Sequence, residues 1–201
     1  MSQSPSYLKD TLLTGKRLKF AGYLAMTSAL LTIPWFLFTY TIRNRSDSYI
    51  RAAEASMLVG GLALMVCLLL VFQQLLHRRY AFRSADKTIS LIIQASITQT
   101  ANSLLGLAIP ELAVPVRMMG TILLVIVGIL QMMFGIWLLQ LPASLGGMHR
   151  PYCILLIVTG FAFASILLLP LGMLTNCIAD VMLGTIFFQS AAESPGECRS
   201  M

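Results

Sequence analysis

The sequence predicts an all-α protein: a polytopic transmembrane helix bundle of five spanning helices with a cytoplasmic N-terminus, four or six spans being the alternatives. Three observations carry this. Met118 to Leu141 runs for 24 residues without one charge, about 36 Å as a helix and enough to cross a bilayer. Of 201 positions 57% are hydrophobic and only 11% charged, against roughly 25% charged in a soluble domain. The basic residues gather beside the apolar runs, where membrane topology accounts for them better than a nucleic-acid partner does. Hydrocarbon offers no water to the backbone amides, so each apolar run must close its hydrogen bonds within a helix.

Residues 1–19 read as a cytoplasmic interfacial segment ending in Lys16, Arg17 and Lys19, 20–192 as the bundle, and 193–201 as a polar tail. The start of the chain is too polar and basic for a signal peptide. Phe20 to Ile42 is the first span. Tyr23, Trp35 and Tyr40 lie near its ends, where an aromatic belt forms, and Pro34 should kink it. Ala21, Ala25 and Ala29 repeat every four residues and leave a smooth ridge for close helix packing. In the following loop Asn44, Arg45 and Ser46 match a glycosylation triplet, but they sit almost against the helix end, so Asn44 reads as ordinary loop.

Ala55 to Leu76 is the second span, with Ser56 and Gly60 forming a small-xxx-small pair. Thr88 to Pro110 is uncharged for 23 residues but rich in polar side chains. Ser90, Gln94, Thr98 and Asn102 repeat every four residues, as candidates for a ligand or ion path or for hydrogen bonds to neighbouring helices. The polar side carries no Lys or Arg, as an interfacial helix usually would, so a span is expected. After a turn at Glu111 to Pro115 comes the central run, whose Gly120, Gly128 and Gly135 are expected to mark one packing face. Leu141 to Arg150 is a loop.

Pro151 to Ala192 is too long for one helix, and Pro170 and Gly172 should break it, giving either a hairpin of two short spans or one span and an oblique segment. Within it Asp180 stands between CIA and VMLGTIFF. If the run makes two spans, Asp180 lies at membrane depth, where a charge is costly, and should then be paired, protonated or exposed to a water-filled cavity, with Asn176 and Gly184 on the same face. The nearby Pro170 and Gly172 favour the other reading, in which the chain turns at Leu171 to Asn176 and Asp180 sits at the interface or caps a short helix. If Thr88 to Pro110 spans, a cytoplasmic N-terminus places nine basic residues inside and four outside, in the sense of the positive-inside rule.

Chemistry is sparse. Cys67, Cys153, Cys177 and Cys198 are scattered with no CxxC, so no zinc or redox site is expected. Cys67 and Cys153 read as small buried hydrophobes. His77 and His149 flank spans and read as interfacial residues, not haem ligands. Met118, Met119, Met132 and Met133 read as packing surface, not copper ligands. No GxSxG, HExxH or Walker loop occurs, so neither an enzyme nor a cofactor is expected.

The expected protein is therefore a non-enzymatic, multi-pass integral membrane protein. It would act by helix association as a subunit, scaffold or accessory factor, with the lipid bilayer and a homo-oligomer or membrane protein partner around it. The alternative is a small oligomeric channel or transporter built on the polar stripe and Asp180; a membrane enzyme on a lipid substrate ranks third.

Overall fold

A computed structural model of the chain describes residues 15–42, 48–80, 85–141 and 147–192. The first 14 residues, the Asn44 triplet, Cys198 and the polar tail lie outside the described residues. Among the described residues there are six α-helices, one 3₁₀ turn and no strand. They are α1 (Gly15–Ile42), α2 (Ser48–Tyr80), α3 (Asp86–Ala108), α4 (Ala113–Leu139), α5 (His149–Ala164) and α6 (Leu169–Ala192), with the 3₁₀ turn at Pro110–Leu112. Three stretches, Ser48–His77, Ala113–Leu139 and Leu169–Ala192, are long and apolar enough to cross a membrane, and His149–Ala164 is a shorter apolar helix.

The helix ends depart from the apolar runs in instructive ways. α1 begins at Gly15, so Lys16, Arg17 and Lys19 continue into the helix without a break. α2 runs well past its apolar centre at both ends, because charged side chains hold a helix in water as well as apolar ones do in lipid. α4 takes in part of the turn expected at Glu111 to Pro115: Pro115 lies in its first turn, where a missing N–H leaves no bond unmade.

The break in the long C-terminal run falls before Pro170, not after it. α5 ends at Ala164 and α6 starts at Leu169, which puts Pro170 in the first turn of α6, where proline fits. The link is apolar, with Leu167 91% exposed, and Ile166 adopts a left-handed φ of 58°. Most of its amides are bonded within the turn: Ser165 to the carbonyl of Phe161, Ile166 to Phe163, Leu167 to Ser165 and Leu169 to Ile166. An exposed apolar turn with most of its donors closed internally suits hydrocarbon better than water.

The helices form a ring. Each packs its backbone on its neighbours in sequence, and α6 returns to pack on α1, while among the described residues no other pair of helices brings its backbones together. Two of these interfaces are made by small residues that let backbones meet. On α4, a methyl group added to Gly128 would fall 2.7 Å from the Gly160 carbonyl oxygen of α5. On α1, Ala21, Ala25 and Ala29 are buried along the side that meets α6, and Cys177 of α6 donates a 3.2 Å bond to the Ala29 carbonyl. Next to them Gly184 packs against the Gly22 carbonyl and Met26.

The exterior carries apolar side chains such as Leu30, Val114, Ile122, Ile154 and Phe161. So broad an apolar surface is stable against lipid or protein rather than water. α2 is the least embedded of the long apolar helices. It is held mainly by Leu68, Phe72, Leu75 and Leu76, all buried in its second half, and by the close approach of Gly61 to the Trp35 ring.

Candidate functional site

A ring whose backbones meet only between neighbours leaves space at its centre. Here the space is a cavity of about 420 Å³, walled by side chains from all six helices. Most of the wall is apolar, including Leu58, Met65 and Leu69 from α2, Leu124 and Val127 from α4, and Leu183 from α6. Set into it are Ser28 of α1, Ser96, Gln99, Thr100 and Ser103 of α3, Gln131 of α4, Tyr152 of α5, and Asn176 and Asp180 of α6.

Asp180 is the centre of the site. It is the twelfth of the 24 residues of α6, far from either end, and neither caps the helix nor lies at a chain turn. The Ser28 hydroxyl donates a 2.8 Å hydrogen bond to its Oδ2, which orients the carboxylate from the facing helix while the second oxygen remains available. Among the described residues no Lys, Arg or His lines the cavity. The carboxylate is therefore the only formal charge its lining can present, and a low-dielectric wall strengthens its field. Asn176, one turn earlier on α6, shares the cavity, whereas Gly184 serves the contact with α1.

One end of the cavity is closed by aromatic rings. Phe72 of α2 meets Phe134 of α4 at 6.1 Å, Tyr152 of α5 at 6.0 Å and Phe187 of α6 at 6.2 Å, all edge to face. All four residues are buried. Edge-to-face pairing is the favoured arrangement for such rings and makes a dense plug. Phe134 and Tyr152 also belong to the cavity wall, so the plug is the floor of the site. Trp35 and Phe163 line the cavity as well.

The polar stripe expected on α3 lies elsewhere. Ser90, Gln94 and Thr98 are exposed on the outer side of the helix, and Asn102 turns to α4, donating a 2.9 Å bond to the Val116 carbonyl. The cavity is met instead by Ile92, Ser96, Gln99 and Ser103. The cause is geometric. A step of four residues turns about 400°, so a four-residue repeat drifts about 40° each time and walks off a face, while alternating steps of four, three and four stay on it. Gln131, a single amide inside the central run, was also open to detection from sequence alone. Ser28 was not, because only the partner helix gives it meaning.

The three glycines of α4 divide between two neighbours. Gly128 and Gly135 face α5, while Gly120 faces Asn102 of α3. Steps of eight and fifteen residues leave Gly120 about 60–80° from the other two. Ser56 and Gly60 are exposed, with open space around Gly60.

The remaining candidates have local partners. His149 is buried with Nε2 2.7 Å from the Leu138 carbonyl, which closes the C-terminus of α4. His77 Nε2 lies 2.5 Å from Asp86 Oδ1, which Gln73 also reaches at 3.1 Å. Of the cysteines, Cys153 is buried and Cys67, expected to be buried, is exposed. Among the described residues no group of three or more His, Cys, Asp and Glu side chains is placed to hold a metal ion.

Fold and site together define an apolar ring of helices around a cavity with one carboxylate. No protein-family model, curated protein or solved structure matches the chain, and the geometry alone bears on function.

Proposed function

We propose that this is a multi-pass membrane protein that takes a small polar solute into its central cavity and passes it across the bilayer without covalent chemistry. In this reading all six helices cross, one more than the leading sequence expectation, and the N-terminus faces the cytoplasm under the positive-inside rule. The observation that supports it is Asp180: a carboxylate in the middle of an apolar helix, lining a cavity to which every helix contributes. An ionisable residue at that depth is costly unless it serves a wet pathway or a bound partner. The aromatic floor acts as the barrier on the cytoplasmic side, since it lies toward the ends bearing Lys19, His77 and His149.

The test is chemical access. In a background without native cysteines, Gln131→Cys in intact liposomes is expected to react with a hydrophilic, membrane-impermeant thiol reagent, while Ile126→Cys on the outer face is not. An unreactive Gln131→Cys would mean a dry void and end the proposal.

The association reading, in which the protein works as a subunit, scaffold or accessory factor, keeps one specific support. Ser56 and Gly60 lie on an outward side of α2 that also exposes Ala63 and Cys67, and small residues on a lipid-facing surface let a second helix approach. A homo-oligomer of solute-conducting rings would reconcile the two readings.

A further inference from the structure

We propose that the solute is an organic monocation, an ammonium group carried on an apolar or aromatic body; the proposal rests on the transport reading above and names its substrate class. Charge sets the sign. Asp180 faces the cavity, and no basic side chain lines it, so an anion would meet a field of its own sign with nothing to neutralise it. One carboxylate balances one positive charge.

The wall sets the body. Ca²⁺ and Mg²⁺ take six or more oxygen ligands, whereas the cavity that Asp180 lines is walled mainly by leucines, with Met65 and Val127 among them. Such a wall rewards an apolar group and does little to replace the water shell of a metal ion. Trp35, Phe134, Tyr152 and Phe163 bring aromatic rings to the same cavity, and ring faces attract ammonium groups, most strongly where water is excluded. The amides of Gln99, Gln131 and Asn176 supply acceptors for the N–H groups of a primary amine. A volume of about 420 Å³ is that of a pocket for a small organic molecule, not for a bare ion.

The test uses the full chain in phosphatidylcholine nanodiscs. The protein has two tryptophans; Trp35 lines the cavity and Trp137 does not, so in a Trp137→Phe background the emission reports the site. Benzyltrimethylammonium is the probe, with benzoate and benzyl alcohol as anionic and neutral counterparts. The expected result is a saturable change with the cation alone, weakened about tenfold or more by Asp180→Asn and largely restored in Asp180→Glu. Equal responses to the three compounds, no saturable response to the cation, or unchanged affinity in Asp180→Asn would each overturn the proposal. Should Asp180→Asn fail to fold, the ranking of the three compounds on the Trp137→Phe protein decides. If Gln131→Cys is reactive but the cation does not bind, the substrate class falls while the transport reading stands; if Gln131→Cys is unreactive, both fall.

Discussion

Ser28 on α1 and Asp180 on α6, separated by 152 residues in the chain, are joined by a 2.8 Å hydrogen bond. The pair does two things at once. It fastens the two helices that close the ring, beside the Cys177 bond to the Ala29 carbonyl, and it points a carboxylate into the cavity.

This pair is expected to show coupling. Ser28→Ala should cost about 1 kcal/mol through the lost hydrogen bond, and Asp180→Leu more, because it also leaves the Ser28 hydroxyl without its acceptor. In a double-mutant cycle with Asp180→Leu, Ser28→Ala should then cost little further. Unfolding in mixed micelles measures this, and fully additive costs would remove the bond from the stability of the ring.

Glycines on the two sides of the ring are expected to respond in opposite ways. Gly128→Ala places a methyl group 2.7 Å from a backbone oxygen and 2.8 Å from a backbone nitrogen of α5, neither of which can swing aside. A cost of about 2 kcal/mol or more is expected, at the upper end of overpacking penalties because backbone must move. Gly60→Ala meets nothing within 4 Å and should be neutral or stabilise by up to about 1 kcal/mol through helix propensity. Equal losses of stability would contradict the described packing of α4 on α5.

Whether α3 crosses the bilayer is open to a direct assay. Lys87 and Glu111 are exposed just inside the start of α3 and just beyond its end. Single cysteines at the two positions should be labelled from opposite sides of a sealed vesicle. Labelling from one side would lay α3 flat, and the ring could not then line a path through the membrane.

Cys67 serves as a built-in probe of the outer face of α2. It is exposed and follows Ser56, Gly60 and Ala63 on one side of the helix. If a second copy docks there, mild oxidation in native lipid should give a dimer linked through Cys67, and Gly60→Leu should suppress it by separating the backbones. A monomer that stays monomeric under oxidation would leave that side to lipid.

Much of the fold was legible in advance because apolar length is a one-dimensional property. Charge-free runs marked where helices lie, and Pro170 marked where the last run divides. The turn expected at Leu171 to Asn176 falls instead at 165–168, since proline interrupts a helix interior but begins a helix well. Ala21, Ala25 and Ala29 are buried while Ser56 and Gly60 are exposed, so small-residue spacing does not by itself say which surface packs, and assigning Gly120, Gly128 and Gly135 to one face ignores the rotation accumulated over fifteen residues.

The site was only half legible. Asp180 and Asn176 stood out because polar groups inside an apolar run are expensive wherever that run goes. Gln99 belongs to the same cavity but carries no individual signal, as one amide on an already polar helix bonds equally well to a neighbour, to water or to solute, whereas Gln131 stands alone in the apolar central run. The Ser90, Gln94, Thr98 stripe drew notice for its regularity, and regularity in steps of four does not follow a helix face. Ser28, Tyr152 and the aromatic floor acquire meaning only when distant helices meet.

That meeting has a bearing on how the protein is made. Because α1 packs on α6 and on no helix between them except α2, most of its inner surface has no partner until the last helix is in place. On the proposed six-span reading, Ala21, Ala25 and Ala29 would wait beside lipid through the insertion of four further helices, and Asp180 would enter the membrane before Ser28 could receive it. Contacts so far apart in sequence form late and slowly. An interruption of synthesis anywhere before α6 would leave an open arc of helices, and that open arc is the form a membrane quality-control protease or insertion chaperone would have to recognise.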